Sequence, residues 1–144
     1  MQPYILAPID GTESADEWVR MGMDAHARGQ LGEAQAKYCR ALKLNPRHPL
    51  ANIYLAIVFA SSDGFLNEAV LTAEKAALLD GEHWLVSTNC ALICLEAGRM
   101  DEAIEEAERG VKLAPAGIAG NPARMVLAMV VASAGSPERA VAVY

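Results

Sequence analysis

Two cysteines, Cys90 and Cys94, are the pair of residues whose type and spacing could support chemistry. Four residues apart on a helix they share one face, and two thiolates are half of a tetrahedral zinc site. Zinc needs further ligands, and His83 is the only histidine nearby in the sequence. Both cysteines also occupy packing positions of the repeat described below. We therefore interpret them as buried structural thiols and predict neither a metal site nor a cofactor.

The histidines give little support for acid–base catalysis. His48 and His83 occupy the same corner between repeating units, where a polar turn residue is expected, and His26 lies on a different helix face from Asp24. The sequence also lacks a Gly-x-Ser-x-Gly elbow, a phosphate-binding loop and a dinucleotide fingerprint. We predict that the chain is not an enzyme.

Composition excludes several other classes of function. Of the 144 residues, 53% are hydrophobic, and the net charge of −6 argues against a nucleic-acid surface. The longest apolar runs, 50–60 and 125–134, are shorter than the roughly 20 residues that span a membrane, so we predict no membrane insertion. The N-terminal arm, residues 1–14, lacks the basic flank of a signal peptide. Because the three cysteines show no disulfide pattern, we expect a cytoplasmic protein.

The elements that carry these residues repeat along the chain. Four glycines that would end a helix are each followed five residues later by an alanine: Gly29, Gly64, Gly98 and Gly135 precede Ala34, Ala69, Ala103 and Ala140. Steps of 35, 34 and 37 residues between these alanines indicate a unit of two helices joined at the glycine. We predict first helices near 15–28, 49–62, 83–97 and 121–134, and second helices near 31–44, 65–79, 100–113 and from 137 onward.

Local signals support these helices. Ser14 and Glu17 have the form of a capping box before the first helix. Glu105 and Arg109 lie at i,i+4 with the acid first, which is the favourable order for an ion pair. We interpret the acidic stretch around them, 100–110, as a solvated outer face.

The first unit, 15–48, resembles a tetratricopeptide repeat. The matching residues are Trp18, Met21, Gly22, Ala25, Gly29, Ala34, Tyr38, Ala41 and Pro46. Units 49–83 and 84–117 resemble it more weakly, and 118–144 forms an incomplete fourth unit. The resemblance implies an all-α, right-handed superhelical solenoid. Because the fourth unit stops inside its second helix, we expect the native chain to continue beyond Tyr144.

Besides the residues that pack the core, the first helices carry a second row of apolar side chains. In this family the first helices line the concave face. We predict an apolar peptide-binding groove lined by Val19, Met23, His26, Ile53, Ile57, Thr88, Asn89, Leu92, Leu95, Glu96, Met125 and Met129. Its polar members, His26, Asn89 and Glu96, would orient the partner. The row could instead pack between repeats, or the chain's own N-terminal arm could fill the groove.

Two ligand modes of the family can be compared with this sequence. Members that hold the C-terminal carboxylates of heat-shock chaperones use lysine, asparagine and arginine at positions that here are Val19, Met23, Tyr54, Leu85 and Asn89. No cation is present among them, so we predict that this clamp is absent. Asn89 resembles one asparagine of the ladder in O-linked glycosyltransferases, but its counterparts are Arg20, Tyr54 and Val126.

The sequence therefore predicts a protein–protein interaction module whose partner is an amphipathic helix or an apolar peptide segment of another protein. Two alternatives remain. The chain could be the N-terminal region of a larger enzyme, such as a bacterial glycosyltransferase, or a small chaperone resembling those of type III secretion. The uncapped fourth unit would expose apolar surface and favour a homodimer.

Overall fold

Seven α-helices follow one another in the computed structural model, which describes residues 14–79 and 83–135. They are α1 (Ala15–Ala27), α2 (Leu31–Leu44), α3 (Pro49–Ala60), α4 (Leu66–Leu79), α5 (Trp84–Glu96), α6 (Met100–Leu113) and α7 (Asn121–Ser133). A short 3₁₀-helix, Gly117–Gly120, precedes α7, and no strand occurs in the described ranges. All seven helices lie within two residues of their predicted bounds. The predicted helix from 137 onward and nearly all of the N-terminal arm lie outside the described residues.

The helix ends follow the predicted local signals. Ser14 and Glu17 form the capping box: the Glu17 N–H donates to Ser14 Oγ at 3.2 Å, and the Ser14 N–H donates to Glu17 Oε1 at 2.9 Å. Gly29, Gly64 and Gly98 have φ angles of 76°, 83° and 79°. Only glycine adopts this left-handed conformation readily. Gly29 and Gly98 directly follow the C-caps of α1 and α5, whereas Gly64 lies in the longer turn between α3 and α4.

The two corner histidines start helices. His48 Nδ1 accepts the Ala51 N–H at 3.2 Å, and its Nε2 lies 2.6 Å from Oδ1 of Asp16 in α1. His83 caps α5 in the same way: its Nδ1 accepts the Leu85 N–H at 3.3 Å. The expected polar turn residue at this corner is thus a helix N-cap, and His48 also joins the start of α3 to α1.

Small residues bring the two helices of a repeat together. Ala34, Ala69 and Ala103 are fully buried, and in the first repeat Gly22 faces the buried ring of Tyr38. A Cβ placed on Gly22 would contact the ring edge of Tyr38 far inside van der Waals distance. The close approach of α1 and α2 therefore depends on the missing side chain.

The array curves towards its first helices. Helices α1, α3, α5 and α7 contact one another in sequence order, whereas the described second helices of neighbouring repeats make almost no contact. An array whose members touch on one side and separate on the other is bent, so the first helices form the concave face. None of the described helices combines the length and the apolar character needed to cross a membrane.

Candidate functional site

Four of the twelve predicted groove residues meet in one cleft between α3 and α5. The cleft has a volume of about 190 Å³, and its lining consists of Ile57, Ala60, Ser61, Asn89, Leu92, Ile93 and Glu96. Every lining residue lies on a first helix or directly after one, which places the cleft on the concave face. Ala60, Ser61 and Ile93 were not among the predicted site residues. Ala60 and Ser61 lie one helical turn after Ile57, and Ile93 lies one turn after Asn89; this spacing was the available signal.

Three predicted groove residues are buried instead. Val19, Ile53 and Thr88 are only 4%, 0% and 5% exposed, so they do not line an open groove. The curvature of the array explains the difference, because the first helix of a neighbouring repeat covers this position. Thr88 also packs against Gly110 of α6, where a Cβ would lie 2.6 Å from Thr88 Oγ1. Leu95 is partly buried against the same core.

The remaining predicted residues lie on the outer first helices. Met23 of α1 and Met125 and Met129 of α7 are exposed. Met125 occupies the same repeat position as Val19, Ile53 and Thr88, yet it is 53% exposed because no described helix covers it. His26 Nδ1 lies 3.4 Å from Tyr38 Oη, so this ring nitrogen faces α2.

The cleft between α3 and α5 is apolar with a polar rim. Ile57 and Leu92 are partly exposed side chains packed on the core, while Ile93 is buried beneath them. Asn89 Nδ2 donates to the Leu85 carbonyl at 2.8 Å, which fixes the orientation of the amide. Glu96 is exposed at the end of α5. The arrangement can bind an apolar side chain and contact a polar group beside it. The hydroxyl in its lining, that of Ser61, donates to the Ile57 carbonyl at 2.9 Å.

A second, larger cleft of about 410 Å³ opens between α4 and α6 on the opposite, convex side. Its lining consists of Glu74, Ala77, Leu78, Cys90, Cys94, Glu102, Glu105, Glu106 and Arg109. The i,i+3,i+4 spacing of three of the glutamates could have indicated a common face. These glutamates lie close to Glu74 and the cysteines only because two repeats leave a gap between them. The sequence pattern of a single helix does not reveal this gap.

Within the second cleft, the acidic stretch of α6 is only partly solvated. The Glu106 side chain is 12% exposed, and Arg109 Nη1 contacts its Oε2 at 3.1 Å instead of forming the predicted pair with Glu105. Burial raises the pKa of the Glu106 carboxyl, and the Arg109 charge and the Ser87 hydroxyl oppose this shift without cancelling it. The prediction of a wholly solvated face is therefore wrong for this residue.

The two cysteines at the floor of the second cleft are buried, as predicted. Their mutual hydrogen bond, followed by burial, raises the pKa of the Cys90 thiol. The neutral Cys90 thiol is therefore a poor nucleophile and a poor metal ligand. Among the described residues, no three His, Cys, Asp or Glu side chains converge to hold a metal ion.

A family model of the tetratricopeptide repeat matches residues 19–78 and 60–118. No curated protein is similar enough in sequence to count as a relative. The fold is similar to the Sgt2 TPR domain from Aspergillus fumigatus, with a TM-score of 0.72, 22% identity, and coverage of 87% of this chain and 82% of that one. It is also similar to the first TPR of Spaghetti (RPAP3) bound to the HSP90 peptide SRMEEVD, with a TM-score of 0.72, 16% identity, and coverage of 85% and 97%.

A third similar structure is a mutant O-GlcNAc transferase from Thermobaculum terrenum. Its TM-score is 0.72 at 16% identity, and the match covers 81% of this chain but only 22% of the transferase. At these identities the three structures show a shared fold, an all-α solenoid of helical repeats. The family match, by contrast, extends from residue 19 to residue 118, which is 100 of 144 residues. This chain therefore belongs to the tetratricopeptide repeat family.

Proposed function

We propose that this protein is an interaction module that binds an amphipathic helix or an extended apolar segment of a partner protein on its concave face. The observation that carries the proposal is the cleft between α3 and α5, where Ile57 and Leu92 present apolar surface beside Asn89 and Glu96. Affinity comes from burial of apolar area, and the polar rim orients the partner. No catalytic step and no cofactor are part of this function.

Two further observations support this assignment. Met23, Met125 and Met129 extend exposed apolar surface along the first helices on either side of the cleft. Methionine side chains are flexible and polarizable, so they adapt to partners of different shape. The Spaghetti repeat was solved with a peptide that ends in acidic residues. Because the five clamp positions of this chain contain no lysine or arginine, the proposed ligand is apolar rather than anionic.

Leu92→Asp tests the groove assignment. The probe is a fluorescein-labelled 14-residue amphipathic peptide with leucines on one face and alternating lysine and glutamate on the other. We expect the substitution to weaken binding by more than roughly tenfold, because it places an unpaired charge in the apolar contact. The readout is fluorescence anisotropy, together with circular dichroism to show that the helices are retained.

Leu71→Asp is the matched control, since Leu71 is exposed on the second helix α4 and lies outside the cleft. It introduces the same charge and should leave binding unchanged. Equal peptide affinities of the wild type and a folded Leu92→Asp variant would refute the groove.

A second interaction, between two copies of the chain, is supported by α7. Met125 is 53% exposed at a position that is buried in the three preceding first helices, and Ile118 before α7 is also exposed. Pairing of two α7 faces would cover this apolar surface. The three free thiols support a cytoplasmic location, because such thiols persist in reducing compartments.

The match to the O-GlcNAc transferase favours one further candidate, in which the repeats belong to a longer transferase. The match leaves 78% of that transferase chain uncovered. Glycosyl transfer by a longer protein containing these repeats, lost when its other domain is inactivated, would establish this role. The same protein without such activity would exclude it.

A further inference from the structure

We infer that the cleft between α3 and α5 takes an apolar side chain that is accompanied by a lysine or arginine of the same partner segment. This inference rests on the proposed function, because it specifies the ligand of the same surface. It follows from the position of an apolar pocket beside two helix C-termini and an exposed carboxylate.

The apolar part of the cleft is suited to one side chain. Ile57, Ala60 and Leu92 form its walls, and the buried Ile93 lies at its base. Its volume of about 190 Å³ is below the ~300 Å³ at which clefts begin to hold drug-sized ligands. The cleft therefore has room for one leucine, methionine or phenylalanine side chain and not for a larger group.

The cleft lies at the C-terminal ends of two helices. Its lining includes the last turns of α3, with Ile57 and Ser61 at its end, and of α5, with Glu96. A helix C-terminus carries a partial negative charge that a nearby cation stabilises. Neither last turn contains a basic residue. The Ser61 and Ser62 hydroxyls donate to the Ile57 and Val58 carbonyls at the end of α3, but they carry no positive charge. The Glu96 carboxylate adds a full negative charge.

The nearest arginine in the sequence is engaged on the other side of the molecule. Arg99, three residues after Glu96, places its Nη1 3.1 Å from Glu74 Oε2 and 3.3 Å from Glu102 Oε1. Glu74 and Glu102 belong to the convex cleft, not to the concave one. Asp63, in the connection after α3, is a further exposed acid at this end of repeat 2. A cation supplied by the partner is the complement of this charge.

The spacing within α5 sets where the cation must lie. Leu92 and Glu96 are four residues apart, which is about 6 Å along a helix axis. Two residues of an extended segment cover a similar distance, as do positions i and i+4 of a bound helix. The partner segment therefore carries its basic residue about two positions from the apolar anchor when extended, or one turn away when helical.

Two versions of the labelled 14-residue peptide test the inference. They share the leucine face, and the opposite face carries only lysine in one and only glutamate in the other. We expect the lysine peptide to bind the wild type roughly fivefold more tightly at low salt, in line with one exposed ion pair and one helix dipole. The preference should fall at high salt. It should also be smaller in Glu96→Gln, where only the two helix dipoles and Asp63 still attract the cation.

The matched control is Glu105→Gln, which removes the same charge from α6 at the convex cleft and should keep the preference. Equal binding of the two peptides to the wild type, or an unchanged preference in Glu96→Gln, would overturn the inference. So would loss of the preference in Glu105→Gln, since it would place the cation on the convex side. If Leu92→Asp weakens both peptides while the wild type binds them equally, the proposed function stands and only the charge inference fails. If neither peptide binds the wild type, both are overturned.

Discussion

Glu106 shows how a single residue departs from its pattern. The nearby Glu102, Glu105 and Glu108 are exposed. The carboxyl group of Glu106 instead packs into the wall of the convex cleft, beside Arg109 and Ser87. Burial raises its pKa above the ordinary glutamate value, so folding favours the protonated form. The ionised carboxylate consequently destabilises the native state at pH values above the raised pKa.

We expect Glu106→Gln to increase the free energy of unfolding at pH 8. The gain over the wild type should shrink as the pH falls through the raised pKa and vanish near the ordinary glutamate pKa of 4.5. Urea unfolding of both proteins between pH 4.5 and pH 8 measures this difference. Glu105→Gln makes the same charge change at an exposed site and should show a smaller pH dependence. A gain that grows on acidification would contradict the burial of the charge.

At the scale of the helices, the approach of α1 to α2 depends on Gly22. Gly22→Ala introduces a methyl group into the space of the buried Tyr38 ring, where its Cβ would be 2.6 Å from Cδ1. We expect a net loss of stability of about 1–3 kcal/mol, because overpacking outweighs the better helix propensity of alanine. Urea denaturation followed by circular dichroism gives the value.

Gly32→Ala is the control within the partner helix α2. Gly32 is exposed, and nothing lies within 4 Å of an added Cβ. The higher helix propensity of alanine should therefore stabilise this variant by about 0.5–1 kcal/mol. Opposite signs for the two substitutions are the expected result, and equal signs would show that Gly22 does not set the helix separation.

Helix bounds could be predicted closely because their causes are local. The capping box at Ser14 and the left-handed glycines such as Gly29 act within a few residues of the chain. The burial of Ile53 and Thr88 could not be predicted in this way, because it depends on how far each repeat rotates against the next. The position of Ile57 and Leu92 in one cleft was consistent with the predicted row of apolar side chains. The convex cleft could not be predicted, because it forms where two second helices are held apart.

At the scale of the whole molecule, α7 is expected to mediate self-association. Sedimentation equilibrium should show the mass of the wild type rising towards that of a dimer with concentration, and Met125→Glu should remain monomeric. Charge on the exposed apolar face opposes its burial against a second copy. Leu78→Glu, at an exposed site on α4, should dimerise like the wild type. A wild type that is monomeric at every concentration would rule out this interface.

The one-sided contacts between repeats also have a mechanical consequence. Neighbouring first helices touch along the concave face, whereas the described second helices are joined across the gap between repeats by little more than the exposed Arg99–Glu74 ion pair. Each second helix also packs against the first helix of the next repeat, so we expect bending to change mainly the gap between neighbouring second helices. The contacts between first helices make the concave side the stiffer side of the array. We therefore expect the cleft beside Leu92 to keep its width during such bending better than the space above Cys90 and Cys94.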